Sequence, residues 1–93
     1  MVLAIDIGNT NIVFGCFDGE EILFREHAST NSLATDLEYA SVIGTAFEIH
    51  GIAKERITGS IISSVVPSVT STDMRAVEKL TGIESVVVGD RKS

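Results

Sequence analysis

The amino-terminal part of the sequence contains three segments whose apolar residues are spaced as in β-strands. Residues 2–7 are mostly apolar and branched, and the turn formers Gly8–Asn11 follow them. Residues 12–17 are apolar on both alternating faces, which predicts a strand that lies centrally in its sheet and is covered on both sides. Asp18-Gly19 predicts a hairpin, and residues 21–27 then alternate as an antiparallel strand nearer an edge. The pattern therefore predicts a three-stranded meander.

A helix of about four turns is predicted after the polar loop that follows the meander. Thr35 and Glu38 fit the capping box, in which each side chain accepts a hydrogen bond from a free amide at the helix start. Apolar residues recur at helical spacing between Tyr39 and His50, and Gly51 stands where a left-handed terminating residue is favoured.

The rest of the chain alternates strand, helix and strand. Residues 59–66 are uncharged and apolar enough for a buried strand, and Pro67 suits the first turn of a second helix. Val69, Ala76, Val77 and Leu80 form the inner face of that helix, and Gly82 can end it. Residues 85–88 resemble a parallel strand in a sheet interior.

This order of elements predicts the fold class. A three-stranded meander joined to parallel strands by crossover helices is typical of the ribonuclease-H-like fold, which actin-like ATPases and sugar kinases share. We therefore expect an α/β fold with a mixed five-stranded sheet. A fold of this kind does not by itself determine a function.

Composition and charge limit the possible partners. The 93 residues are enough for one domain, and 44% hydrophobic with 22% charged residues indicates a chain that folds. A net charge of −6 should repel nucleic-acid phosphates and anionic membranes, so we expect neither as a partner. The single cysteine, Cys16, cannot form an internal disulfide, and Asp6 interrupts the first apolar run before it could act as a signal or membrane segment. We expect a cytoplasmic protein.

The segment Asp6–Asn11 is the strongest candidate for chemistry. Gly8 has no side chain to block an anion, and successive amides in a turn can point at phosphate oxygens. Asn9, Thr10 and Asn11 add neutral hydrogen-bond donors. A carboxylate beside phosphates ordinarily needs a cation, and Mg²⁺ is usually held by one or two carboxylates together with substrate phosphates. The same residues would also suit an ordinary hairpin turn, in which Asp6 would only cap the turn.

The opening Leu3–Ile12 resembles the first phosphate motif of type III pantothenate kinases, which belong to the actin-like, sugar kinase and Hsp70 ATPase superfamily. The resemblance spans nearly the whole chain. Further segments similar to that family are Phe14-Gly15, Phe17–Gly19, Ser29-Thr30, Thr35–Ala40, Ile61–Pro67 and Val86–Gly89.

The resemblance implies which residues bind ATP. It assigns Asp6 to the metal-bound phosphates, so that this carboxylate would be the Mg²⁺ ligand. The residues that it implies for the phosphates of ATP are Asp6, Ile7, Gly8, Asn9, Thr10, Asn11, Ile12 and Val13.

The resemblance also implies what a whole enzyme would do. Such an enzyme phosphorylates pantothenate with ATP in the first step of coenzyme A biosynthesis, uses a monovalent cation, K⁺ or NH₄⁺, besides Mg²⁺, and forms a homodimer. The catalytic base of the family lies in a later Gly-x-Asp-Arg segment, so we expect it beyond residue 93 and no catalytic residue in this chain. Gly89-Asp90-Arg91 lacks the intervening residue and is interpreted as a chance match. Residues 1–93 would then be an amino-terminal ribonuclease-H-like half, inactive alone, with the second half absent.

The remaining polar residues fit structural roles better than catalytic ones. His27 and His50 are isolated, and Cys16 lies in an apolar strand without a neighbouring histidine. Ser63 and Ser64 stand at a strand end near the expected cleft, where ligand contact and turn capping are both possible.

Two alternatives to a kinase remain at this point. A two-metal nuclease can share the fold, but it needs several converging carboxylates, whereas the fourth strand ends in Ser63-Ser64 without an acid. A non-catalytic interaction or regulatory half-domain is the second alternative, because the surface that another half would cover could bind a partner.

Overall fold

The computed structural model describes residues 1–88, which form one mixed sheet and two α-helices. The sheet has the order β3-β2-β1-β4-β5, with antiparallel pairing of β1 to β2 and of β2 to β3, and parallel pairing of β4 to both β1 and β5. The predicted order of elements is therefore confirmed, with a short 3-10 turn at Lys54–Arg56 added. The elements are β1 (Val2–Ile7), β2 (Asn11–Asp18), β3 (Glu21–Ser29), α1 (Asp36–His50), β4 (Gly59–Ser64), α2 (Pro67–Thr81) and β5 (Val86–Val88).

The helix ends are fixed by the residues that the sequence indicated. The Thr35 hydroxyl accepts from the Glu38 amide at 3.2 Å, and the Glu38 carboxylate accepts from the Thr35 amide at 2.8 Å, which completes the capping box. Gly51 and Gly82 end α1 and α2 in the left-handed conformation, with φ of 69° and 74°. Pro67 begins α2, where its missing N–H costs no helical hydrogen bond.

The hydrophobic core lies between one face of the sheet and both helices. Alternation in β1 turns Leu3, Ile5 and Ile7 to this face, and their partners in β2 and β4 turn the same way. The helices contribute apolar residues at helical spacing. Buried core residues from the other elements are Ile12, Phe14, Cys16, Phe24, Tyr39, Ala40, Ile43, Ala46, Phe47, Ile57, Ile62, Val69, Ala76 and Val77.

The opposite face of the sheet is not covered by any described helix. Val13 and Phe17 of β2 are only half-buried, and Ile61 of β4 is 43% exposed. β2 is an interior strand as expected, paired to β1 on one edge and to β3 on the other. The expectation that it is covered on both faces was wrong, because within residues 1–88 both helices lie on the other face. Similarly, β5 lies at the edge of the described sheet rather than in its interior. An apolar pattern shows which surface a strand can bury, but it does not specify what buries it.

Asp73 is a charged residue in the middle of the helical core. It lies on the inner face of α2, is 1% exposed, and neither carboxylate oxygen has a hydrogen-bond partner within residues 1–88. Burial raises the pKa of its carboxyl group to about 7.

No helix in the part of the chain that the structure describes has the length and apolar character needed to cross a bilayer.

Candidate functional site

Asp6 lies near the end of β1 with its side chain on the open face of the sheet. It pairs with Val13 of β2 and Ser63 of β4, while its neighbours Ile5 and Ile7 turn into the core. The residue is exposed, and none of the basic side chains of residues 1–88 forms an ion pair with it. The carboxylate therefore faces solvent and is available to a cation.

The turn between β1 and β2 is closed by one hydrogen bond, from the Gly8 amide to the Asn11 carbonyl oxygen at 2.9 Å. A Cβ at position 8 would lie 3.2 Å from the same oxygen, so the close turn favours glycine. The Gly8 N–H is thus occupied within the turn. The amides of Asn9 and Thr10 have no hydrogen-bond partner among the described residues, and both residues are exposed. These two amides are the ones that a phosphate could engage.

The other predicted phosphate-site residues differ in what they can offer. Ile7 and Ile12 have buried side chains, 0% and 3% exposed, so only their main chains could contact a ligand. Asn11 is exposed, and Val13 is half-buried beside Asp6 on the open face. The structure thus brings Asp6 and residues 8–11 together at one end of the sheet.

Thr30 is a contact of this turn that the sequence did not reveal. Its hydroxyl donates to the Gly8 carbonyl oxygen at 2.7 Å, and its amide donates to the Thr10 carbonyl oxygen at 2.9 Å. Ser29-Thr30 stands out in the sequence only as one of the segments that resemble the family. The partners lie 22 residues apart, so no local pattern could indicate the hydroxyl contact.

Ser63 and Ser64 divide the two roles that the sequence left open. Ser63 is exposed and aligned with Asp6 on the open face. The Ser64 hydroxyl accepts from the Val66 amide at 2.9 Å and lies 3.1 Å from the Val66 carbonyl oxygen, so it caps the turn into α2. The Val65 amide donates to the Ile7 carbonyl oxygen at 3.0 Å, which joins that turn to the end of β1.

A depression of about 370 Å³ on the open face contains Asp6 and Ser63. Apolar side chains, including Phe17 and Ile61, form much of its wall. A larger concavity of about 580 Å³ lies between α1 and α2 and includes no residue of the β1–β2 turn. We place the candidate site at the turn because the carboxylate and the free amides are there.

The single carboxylate of Asp6 and the turn amides suit a Mg²⁺ ion that keeps several of its water ligands. The described residues contain no group of three or more histidine, cysteine or acidic side chains that could enclose a metal ion. A single exposed carboxylate beside anion-binding amides matches the mode in which Mg²⁺ keeps several waters and bridges a carboxylate to substrate phosphates. The same arrangement disfavours a two-metal nuclease, which needs several convergent carboxylates.

His50 and Cys16 lie outside the candidate site, whereas His27 is in register with Val13, the neighbour of Asp6 on the open face. The His50 ring stacks on Phe24 with centroids 4.6 Å apart, and its Nε2 is 2.6 Å from a carboxylate oxygen of Glu26. His27 is exposed on β3. Cys16 is completely buried, and burial raises the pKa of its thiol, so it is a poor nucleophile. Gly89-Asp90-Arg91, interpreted above as a chance match, lies outside the described residues.

Comparisons with known proteins agree on one family. The sequence profile described as type III pantothenate kinase matches residues 2–93. Type III pantothenate kinases from Finegoldia magna and Geobacter sulfurreducens are 41% and 40% identical to the chain, covering 98% and 96% of it. In each case the matched region is 35% of the relative, so the chain spans about a third of the length of these curated relatives.

A solved structure supports the fold. The ROK hexokinase from Thermus thermophilus superimposes on 95% of this chain with a TM-score of 0.70 and 19% sequence identity, and the match covers 34% of the hexokinase. At this identity the likeness concerns the fold alone. It agrees with the predicted fold, which sugar kinases share.

Proposed function

Because the chain belongs to the type III pantothenate kinase family, we propose that it provides the ATP-phosphate-binding part of an enzyme that phosphorylates pantothenate. Residues 1–93 would be the amino-terminal ribonuclease-H-like half of that enzyme. The base that accepts the pantothenate hydroxyl proton and the acceptor contacts would lie in the part of the relatives' length that residues 1–93 do not match. The chain alone should therefore not catalyse transfer.

The observation that supports this proposal best is the exposed Asp6 carboxylate beside a turn with free amides. The N–H groups of Asn9 and Thr10 would donate to phosphate oxygens, and the side chains of Asn9, Thr10 and Asn11 would add neutral donors. Asp6 would hold Mg²⁺ against the phosphates, and the ion would neutralise part of their charge. Positioning and charge neutralisation are the main requirements of phosphoryl transfer.

Titration of the ¹⁵N-labelled chain with Mg-ATP tests this proposal. We expect weak binding, with a dissociation constant on the order of 1 mM, because only one wall of the nucleotide site is present. The amide resonances of Asn9, Thr10 and Asn11 should shift most. Asp6→Asn should remove the dependence on Mg²⁺, whereas Asp18→Asn, an exposed acid at the other end of β2, should not.

Two results would contradict the assignment. The first is a set of Mg-ATP shifts centred on the groove between α1 and α2 rather than on the turn. The second is an Asp6→Asn variant that binds Mg-ATP as well as the unchanged chain does. Phosphorylation of pantothenate by the 93-residue chain would refute the narrower proposal that it is inactive alone.

The proposal extends to properties of the whole enzyme that the family membership suggests. These are a requirement for K⁺ or NH₄⁺, assembly as a homodimer, and a location in the cytoplasm. No residue of the candidate site is assigned to the monovalent cation. Activity assays of the whole enzyme in K⁺, NH₄⁺ and Na⁺ buffers, and its mass in solution, test the first two.

An interaction module is the second candidate function, and the open sheet face favours it. Ile22 and Ile61 are 57% and 43% exposed there, and Phe17 is half-buried. Apolar surface grouped in this way commonly marks a contact with another protein surface. Sedimentation of the chain at increasing concentration tests whether the face drives association, and Mg-ATP titration separates the two functions.

A further inference from the structure

The turn between β1 and β2 is held from behind by a residue that is distant in sequence. Thr30 lies just after β3 and donates two hydrogen bonds to the turn, from its hydroxyl to Gly8 and from its amide to Thr10. Both acceptors are main-chain carbonyl oxygens, at 2.7 and 2.9 Å. Among the described residues, the main-chain groups of residues 8–10 take part in three hydrogen bonds. Two of them come from Thr30, and the third runs from the Gly8 amide to the Asn11 carbonyl oxygen.

The geometry of the peptide bond gives these two contacts a consequence for the turn. A trans peptide unit is planar, and its C=O and N–H groups point in opposite directions. The Gly8 carbonyl shares a peptide plane with the Asn9 N–H, and the Thr10 carbonyl shares one with the Asn11 N–H. By holding both carbonyls, Thr30 therefore turns the Asn9 and Asn11 N–H groups away from itself.

Thr30 is itself held in place by α1. The Tyr39 hydroxyl accepts from the amide of Asn31 at 2.9 Å and donates to the carbonyl oxygen of Asn31 at 2.8 Å. Tyr39 is 5% exposed and lies in the first turns of α1, where its ring belongs to the core. A continuous set of contacts therefore runs from the core through Tyr39 and Asn31 to Thr30 and the turn.

We propose that Thr30 is a positioning residue that orients the turn amides for phosphate, with Tyr39 as its support. The inference rests on the proposed function, because it concerns the same phosphate site. Thr30 needs no contact with the nucleotide in this role. Its effect is to orient the N–H groups before the ligand arrives, which lowers the cost of ordering the turn on binding.

The test compares Thr30→Val, Thr30→Ser and a matched control, Thr58→Val. Valine keeps the shape of threonine but cannot donate to Gly8, whereas serine keeps the hydroxyl. Thr58 donates a similar hydroxyl bond, 3.1 Å long, to the Met1 carbonyl oxygen at the opposite end of β1. Loss of that bond removes a comparable contact far from the turn.

The first measurement needs no ligand. In ¹H–¹⁵N spectra of the free chain, Thr30→Val should move the Asn9 amide resonance, because valine loses the hydroxyl bond to Gly8 but keeps the amide bond to Thr10. Thr30→Ser should restore the Asn9 resonance, and Thr58→Val should leave it unchanged. An unchanged Asn9 amide in a folded Thr30→Val variant would overturn the positioning role, whatever the behaviour towards nucleotide.

The second measurement is Mg-ATP affinity from the same spectra. Thr30→Val should weaken binding by about three- to tenfold, the usual effect of one lost hydrogen bond, and Thr30→Ser should stay within about twofold of the unchanged chain. Tyr39→Phe should weaken binding in the same direction, and it provides a second variant if Thr30→Val does not fold. Equal affinity of Thr30→Val, Tyr39→Phe and the unchanged chain would overturn the inference but leave the phosphate site standing. Absence of any Mg-ATP shift in the unchanged chain would overturn both.

Discussion

At the residue scale, Gly15 is required by the contact between the backbones of β2 and β3. A Cβ at this position would lie 2.7 Å from the Phe24 carbonyl oxygen, closer than a carbon and an oxygen can approach. The clash would be with backbone rather than with a flexible side chain, and the strand register shifts directly afterwards, between Cys16 and Phe17. We expect Gly15→Ala to lower the free energy of unfolding by about 1 to 3 kcal/mol in urea denaturation.

Gly59→Ala is the matched control for this prediction. Gly59 also lies in a strand, but an added Cβ would be 4.0 Å from the nearest atom, a methyl of Val2. The substitution should be neutral or raise the free energy of unfolding by about 0.4 to 1 kcal/mol, because alanine restricts the unfolded chain. Equal destabilisation by both substitutions would show that the Phe24 contact is not the cause.

Asp73 should make the stability of the chain depend on pH. Its pKa of about 7 in the folded state is above the value of 3.8 for a free aspartate, so the folded chain binds more protons than the unfolded chain between these values. The free energy of unfolding should therefore fall as pH rises from about 4 to 7, by up to about 4 kcal/mol at about 1.4 kcal/mol per pKa unit.

Replacement of the buried carboxyl group tests this dependence. Asp73→Asn should raise the free energy of unfolding at pH 8 and have little effect at pH 4, where the aspartate is already neutral. Glu78→Gln removes an exposed carboxylate from the same helix and should leave the pH dependence unchanged. Parallel pH profiles for Asp73→Asn and the unchanged chain would show that Asp73 is not the group responsible.

The placement of Asp73 could have been predicted from spacing alone. It lies four residues after Val69 and four before Val77, so the helical period puts all three on one face. An acidic residue rarely occupies a core position, so an inner face predicted from apolar residues alone does not include it. Whether the Asp73 carboxylate meets a cation or a hydrogen-bond donor depends on elements that are distant in sequence. The spacing of residues within the helix does not predict those contacts.

At the scale of elements, the start of α1 depends on the capping box. Thr35→Ala should lower the free energy of unfolding by about 1 kcal/mol, because the Glu38 amide loses its acceptor. Thr45→Ala, an exposed change within the same helix, should be neutral or slightly stabilising because alanine favours the helix. Thermal unfolding of both variants measures the difference, and equal effects would contradict a capping role for Thr35.

Elements were predictable from the sequence to the extent that their signals are local. The capping box and the terminating Gly51 each depend on a few adjacent residues, and both are found where predicted. The hairpin predicted at Asp18-Gly19 also forms, but its two-residue turn is Gly19-Glu20, because Asp18 still pairs with Glu21. The hydrogen bonds that hold the β1–β2 turn were not predictable. Thr30 meets Gly8 only because β3 pairs with β2, so the contact requires the assembled sheet.

For the whole molecule, the sequence correctly predicted the path of the chain but not the coverage of the sheet. The order of strands follows from short connections and right-handed crossovers. Apolar residues such as Val13 and Phe17 indicated a face that could be buried, and within residues 1–88 both helices pack on the other face. Curated relatives are about three times as long as the chain, so they have further sequence from which a cover could come.

The open face predicts that the isolated chain associates with itself. Ile22 and Ile61 lie on this face with much of their surface in water, and contact between two such faces would remove apolar area from solvent. The average mass in sedimentation equilibrium should rise with concentration, and Ile22→Ser combined with Ile61→Ser should reduce that rise. Ile49→Ser alters an isoleucine on α1 that is 72% exposed, and it should leave the association unchanged.

If Ile49→Ser reduced association as much as the double substitution did, association would depend on general surface hydrophobicity rather than on the open face. A constant monomer mass at every concentration would show that the open face does not drive self-association, which would remove the observation that favours an interaction module.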